Sequence, residues 1–152
     1  MPSVLIVDDM EPLRGLIRFS LEREGFQVYE ASTGREAIER YRTEAVDVVL
    51  LDLSMPEWDG PTTLRRFKHE FPQIRARFIL LSGDPGRAAP EYAPHLNGAS
   101  GFHRTIAKPF ELQTFVEVVR QEYAAKAMED GHGICQPTSS SILESFGTSL
   151  SN

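Results

Sequence analysis

One cysteine, one tryptophan and no long uninterrupted apolar run are the first features of this 152-residue chain. A lone Cys135 cannot close an internal disulfide, which excludes a disulfide scaffold and fits a reducing compartment better than secretion. No apolar stretch approaches the roughly 18 residues that suggest a membrane span, and Met1-Pro2-Ser3 enters a strand-like run without a basic leader. Positive charge is scarce as well. Sixteen Lys and Arg against 22 Asp and Glu leave a formal charge of −6, with no segregated basic patch, a balance that repels nucleic-acid phosphates and anionic membrane surfaces. The expectation is a cytoplasmic protein with no nucleic-acid partner and no membrane partner.

What is present is ordinary globular composition, 41% hydrophobic and 25% charged. A chain of this length removes roughly 70% of its unfolded surface from water on folding, enough for one core but not for a second large domain. From Gly131 to Asn152 the only Asp, Glu, Lys or Arg is Glu144, and Ser and Thr crowd positions 138 to 151. Residues 1–128 therefore read as the folded domain and 129–152 as a Ser-rich, mobile tail. Within that tail Ile142, Leu143, Phe146 and Leu150 fall at helical spacing and could form a short docking turn.

Inside the domain, apolar runs alternate with amphipathic segments. Val4-Leu5-Ile6-Val7 is continuous rather than alternating, the pattern of a strand buried on both faces. A helix follows, with Pro12 suited to its first turn, Leu13, Leu16, Ile17 and Leu21 on one face, and Gly25 at its end. Phe26 to Ala31 reads as a second strand, Ser32 or Thr33 as a cap for a helix carrying Ala37, Ile38 and Tyr41, and Val46 to Leu51 as a third strand. Asp59-Gly60-Pro61 turns into a helix with Leu64, Phe67 and Phe71, and Phe78 to Leu81 is a fourth strand. Between Gly83 and Gly101, glycines and prolines leave room for only a short or irregular helix. A fifth strand around Thr105 to Ala107 leads to a last helix with Leu112, Phe115, Val116 and Val119. Five strands alternating with about five helices imply an α/β fold, a doubly wound parallel sheet with right-handed crossovers.

In such a sheet functional groups gather beyond the carboxyl ends of the strands. The residues there are Asp8 and Asp9, Asp52, Ser82 and Lys108. Three carboxylates brought together raise one another's pKa, so a cation belongs with them. Oxygen ligands without His or Cys suit a hard cation such as Mg²⁺ better than zinc. Lys108 supplies a fixed positive charge of the kind that neutralises phosphate oxygens; a lysine at a helix start is otherwise at the electrostatically wrong end. His69, His95, His103 and His132 show no ligand spacing and read as surface residues. Trp58 reads as partly exposed, near the site, and packed against its neighbours.

This set of parts resembles the receiver domain of two-component response regulators, of the flavodoxin-like receiver fold and stand-alone type. The resemblance rests on Val4 to Asp9, on Leu50-Leu51-Asp52-Leu53-Ser54-Met55-Pro56 through Gly60, on Leu81-Ser82-Gly83 and on Lys108-Pro109-Phe110, and it spans residues 3 to about 125. It implies that Asp52 takes a phosphoryl group from a histidine kinase or phosphotransfer protein. Asp8, Asp9, Asp52 and the backbone carbonyl of Ser54 would hold Mg²⁺ or Mn²⁺, Ser82 and Lys108 would contact the phosphoryl oxygens, and the Lys108–Pro109 bond would be cis. The implied output is a contact with a downstream protein, in a monomer or a homodimer. Turnover would be limited to self-catalysed phosphorylation and dephosphorylation, so the chain is not expected to be an enzyme in the usual sense.

Two features depart from that family. Receivers commonly carry Tyr or Phe three positions before the lysine; here that residue is Thr105, and Phe102 could substitute only if the strand carried an irregularity. The stretch from Ser82 to Lys108 is also a few residues long, and its glycines and prolines point to a rearrangement between Gly83 and Ala107 as the signal. Two other functions compete. A haloacid-dehalogenase-type phosphatase also uses a strand-end aspartate, Mg²⁺ and a lysine, but needs a second aspartate where Ser54 stands. An interaction module that never accepts phosphate would have no use for the acidic residues and Lys108.

Overall fold

The computed structural model describes residues 1–83 and 102–129. The expected helix between Gly83 and Gly101, the loop rearrangement there, His95, His132 and the tail lie outside the described residues. Five strands, β1 (Ser3–Val7), β2 (Gln27–Ala31), β3 (Val48–Asp52), β4 (Arg77–Ser82) and β5 (Arg104–Ala107), form one parallel sheet in the order β2-β1-β3-β4-β5. Among the described residues the helices are α1 (Glu11–Arg23), α2 (Gly34–Thr43), α3 (Gly60–Glu70) and α4 (Leu112–Glu129).

The continuous apolar runs have the cause expected of them. Alternate residues of each central strand face opposite layers, and both layers are covered. Leu5, Val7, Val49, Leu51 and Leu80 pack with Ala37 and Ile38 of α2 and Leu64 and Phe67 of α3. Val4, Ile6, Val48, Leu50, Ile79 and Leu81 pack with Ile17 and Leu21 of α1 and Phe115, Val116 and Val119 of α4. Thr33 caps α2 by accepting the Glu36 N–H at 3.0 Å, and the Glu36 carboxylate reaches back to the Ser32 N–H at 2.7 Å, so two orphan donors are satisfied together. Gly25, at φ 94°, ends α1 in a conformation that L side chains resist.

Several boundaries shift. Phe26 stays outside β2 because its N–H is spent on Leu21 O of α1, and Val46 precedes β3. Leu16, expected on the buried face of α1, is exposed. Adjacent helix residues diverge by about 100°, and the helix settles on Ile17 and Leu21 with Leu13 half-buried. His103, expected at the surface, is half-buried. Its Nδ1 accepts the Phe78 backbone N–H at 2.9 Å while the His103 backbone N–H donates to Phe78 O at 2.8 Å, so the side chain extends the β4–β5 ladder. His69 is exposed, as expected.

Candidate phosphoryl-transfer site

Parallel register carries the chosen residues to one rim. Val7 pairs with Leu51, Asp52 with Leu81 and Ser82 with Ala107, so the residues ending or following β1, β3, β4 and β5 stand side by side. Asp8 is fully buried, Asp52 and Ser82 are buried, and Asp9 is exposed. Carboxylate oxygens of Asp8, Asp9 and Asp52 all lie within 4.8 Å of one another.

Local structure fixes each member. Asp8 donates its N–H to Ala31 O at 3.1 Å and accepts the Met10 N–H on Oδ1 at 2.9 Å, while Arg14 donates to its carbonyl at 2.6 Å. Arg14 is held in turn by Glu30 at 2.8 Å. Burial works against the Glu30 carboxylate, but hydrogen bonds from Arg14 and Arg18 outweigh it and keep its pKa below the usual carboxylate range. Asp59 caps α3 by accepting the Thr62 N–H at 2.9 Å. Gly60, the first residue of that helix, lets it approach β3; a Cβ there would lie 2.9 Å from Asp52 O and 3.0 Å from Leu80 Cδ1. Lys108 donates its backbone N–H to Ser82 O at 2.7 Å, and its bond to Pro109 is cis.

The Lys108 ammonium stands 2.7 Å from Asp52 Oδ1 and 3.5 Å from Asp8 Oδ2. Burial, with the charges of Asp8 and Asp9 added, raises the Asp52 pKa against the pull of Lys108. For Lys108, burial disfavours the ammonium, but the Asp52 hydrogen bond and the charges of Asp52 and Asp8 outweigh it and raise its pKa. One cation does not satisfy the cluster. Asp8 Oδ2 is buried without a well-formed hydrogen bond, its contact with Lys108 being at the outer limit of length. A buried carboxylate oxygen in that condition is costly, and an all-oxygen donor set of this kind suits a hard divalent cation. The acidic cluster therefore fits a metal.

Of the remaining expected residues, Ser54 begins the exposed part of the loop after β3, and Thr105 is exposed on β5. Phe102 is fully buried in the same core as Phe67 and Phe78. Sequence reasoning missed Arg14, Glu122 and the setting of Trp58. Nothing nearby in the chain separates Arg14 from a solvated helix charge. Glu122 looks like one more surface acid on α4, yet it is buried against Arg77 at 3.0 Å and Arg104 at 3.3 Å.

A profile of the response regulator receiver domain matches residues 4–120, and the chain belongs to that family. It is a receiver domain of two-component signalling, the class of phosphorylation-dependent switches. Over 119 residues it is 34% identical to chemotaxis protein CheY of Bacillus subtilis (strain 168), covering 78% of this chain and 94% of that one. It is also 36% identical over 122 residues to sensor kinase CckA of Brucella abortus (strain 2308), covering 78% of this chain but 12% of the kinase. A receiver domain from an HD-domain protein of Pseudomonas fluorescens Pf-5 superposes with a TM-score of 0.74 at 27% identity, covering 86% of this chain and 92% of that one. A CheY-like receiver from Methanospirillum hungatei JF-1 shares the fold with a TM-score of 0.75 at 23% identity, covering 85% of this chain and 98% of that one. No described helix is long and apolar enough to cross a membrane.

Proposed function

We propose that Asp52 is the phosphoryl acceptor. The supporting observation is the 2.7 Å contact between its carboxylate and Lys108 within a cluster of three aspartates at the strand ends. An Asp52 carboxylate oxygen attacks the phosphorus of a phosphohistidine or an acyl phosphate. The new P–O bond forms as the P–N or P–O bond to the donor breaks, and the imidazole or carboxylate departs with the bonding pair. Little covalent chemistry is asked of the protein, so positioning and charge dominate.

Asp8, Asp9, Asp52 and the Ser54 carbonyl would hold Mg²⁺ or Mn²⁺, which when bound neutralises phosphoryl oxygens. Lys108 orients one oxygen of Asp52 and stays protonated, ready to pair with the transferred group. Ser82, buried at the end of β4, is the hydroxyl on our reading that meets the phosphoryl group. Arg14 holds the backbone of Asp8 in place. The phosphodonor is a histidine kinase or phosphotransfer protein, the output is a contact with a downstream protein in the cytoplasm, and turnover is confined to self-catalysed gain and loss of the phosphoryl group. Residues 1–128 form the signalling unit and 129–152 an appended tail. Thr105, exposed on β5, and Phe102, buried in the core, are on this reading the candidates for the residue that reports the switch.

Intact mass spectrometry after incubation with acetyl phosphate and Mg²⁺ tests this. The native chain gains one phosphate and Asp52→Ala gains none; a variant labelled as well as the native chain would overturn the assignment.

A further inference from the structure

The groove between α2 and α3 holds a charge arrangement that the phosphoryl site does not use. Trp58, half-buried on the loop from β3 to α3, has two guanidinium groups against its ring, Arg35 of α2 and Arg66 of α3, each 4.8 Å from the ring centroid. Both cations are drawn to the same indole ring, which gathers two like charges that repel each other. Their carboxylate partners are meagre. Arg35 has Glu57 at 3.8 Å, and both side chains are exposed, so water and salt screen the contact. Arg66 makes no ion pair or hydrogen bond among the described residues beyond its seat on Trp58. Arg42, in the same groove, is by contrast answered by Glu39 at 3.5 Å and Glu70 at 3.6 Å.

The arrangement is held in place rather than adrift on the surface. A Cβ on Gly34 would fall against Thr63 Oγ1 and lie 2.9 Å from Trp58 Cε3, so the indole sits directly on the first turn of α2. The groove encloses about 260 Å³, the scale of one side chain.

We propose that this groove binds an aspartate or glutamate side chain of a protein partner, its carboxylate bridging Arg35 and Arg66 beside Trp58. Two charge-assisted contacts would satisfy donors that the chain itself leaves without a close carboxylate. A protein is favoured over a polyanion because Glu39, Glu57 and Glu70 flank the groove on a chain of net charge −6. That field tolerates a single inserted carboxylate and repels a run of phosphates. The proposal stands independently of the chemistry assigned to Asp52.

Trp58 is the sole tryptophan, so its fluorescence reports on the groove without a label. The full chain is titrated with the acetylated, amidated peptide ALEAL, which carries a single carboxylate, with ALQAL as neutral control and with inorganic phosphate and a short oligothymidylate as other anions. The side-chain Nε–H resonances of Arg35 and Arg66 give a second readout, and phosphate incorporation at Asp52 in the same samples reports separately on the other site. ALEAL is expected to give a saturable change in both readouts that ALQAL does not. Its affinity should fall at least about tenfold in Arg35→Gln and in Arg66→Gln, each with native phosphate incorporation. No saturable response to ALEAL, an equal response to ALQAL, unchanged affinity in both variants, or tighter binding of phosphate or oligothymidylate would each overturn the proposal.

Discussion

Lys108 carries more of the site's energetics than any other single residue, because it is the near cation for two buried carboxylates. Lys108→Met leaves Asp8 and Asp52 facing each other without it. Breaking a fully buried pair costs about 3–5 kcal/mol; with the Lys108 side chain 20% exposed, a loss near 2 kcal/mol is expected in metal-free urea denaturation. Millimolar Mg²⁺ should shrink that deficit by supplying the missing charge. A deficit of equal size with and without Mg²⁺ would argue against a cation site at these aspartates. His103 gives a pH dependence of its own. Burial, with the nearby Arg77 charge, lowers its pKa below the ordinary 6.5, and its Nδ1 must stay unprotonated to accept the Phe78 N–H. The unfolded chain therefore binds the proton more readily, so this contribution is intact above about pH 6.5 and is lost as pH falls through the lowered folded value. His103→Asn keeps an acceptor but cannot titrate. Its stability should decline less steeply than the native protein's below pH 6.5, and parallel curves would contradict the assignment. At this scale the aspartates and Lys108 were legible because polar residues ending apolar strands are costly without a purpose. His103 was not, since its partner, the backbone of Phe78, lies 25 residues away.

Helices and strands set how firmly the rim is held. Gly60→Ala places a methyl 2.9 Å from the Asp52 carbonyl oxygen, a backbone atom that cannot step aside cheaply. The expected result is a loss of about 1–3 kcal/mol together with slower phosphate incorporation, since α3 and the loop behind Asp52 must shift; native stability and native rate would show that the close approach is unimportant. At the other end of the sheet, Glu122 anchors α4 to the starts of β4 and β5 through Arg77 and Arg104. Glu122→Ala should cost about 1–2 kcal/mol, less than a fully buried pair because Arg77 keeps Glu129 at 2.8 Å and Arg104 is partly exposed, and Glu122→Gln, which keeps hydrogen bonding, should cost less. Equal losses would place the contribution in packing rather than in the ion pairs. The strand positions were readable from continuous β-branched runs, and the α2 cap from Ser32 and Thr33 ahead of an amphipathic segment. The exposure of Leu16 and the burial of Glu122 were not. Helical periodicity gives a face but not its exact rotation, and a buried acid is distinguished only by partners brought in from distant strands.

For the molecule as a whole, one sheet with two apolar layers explains why a chain with so little cysteine needs no staple. It also explains why the chemistry collects at one rim: every parallel strand ends on the same side. Sequence patterning implied the parallel sheet but not its order, because apolar runs identify strands without saying which neighbour each will pair with. The order β2-β1-β3-β4-β5 sets β1 and β3 side by side, bringing Asp8 and Asp9 to Asp52. The account thus turns on one atom group, the Asp52 carboxylate. Borohydride reduction of the protein phosphorylated by acetyl phosphate in Mg²⁺, followed by peptide sequencing in a mass spectrometer, tests it most directly, since a phosphorylated aspartate is reduced to homoserine. Homoserine at position 52 alone is the predicted result, and homoserine at Asp8, Asp9 or another acid, with position 52 intact, would contradict it.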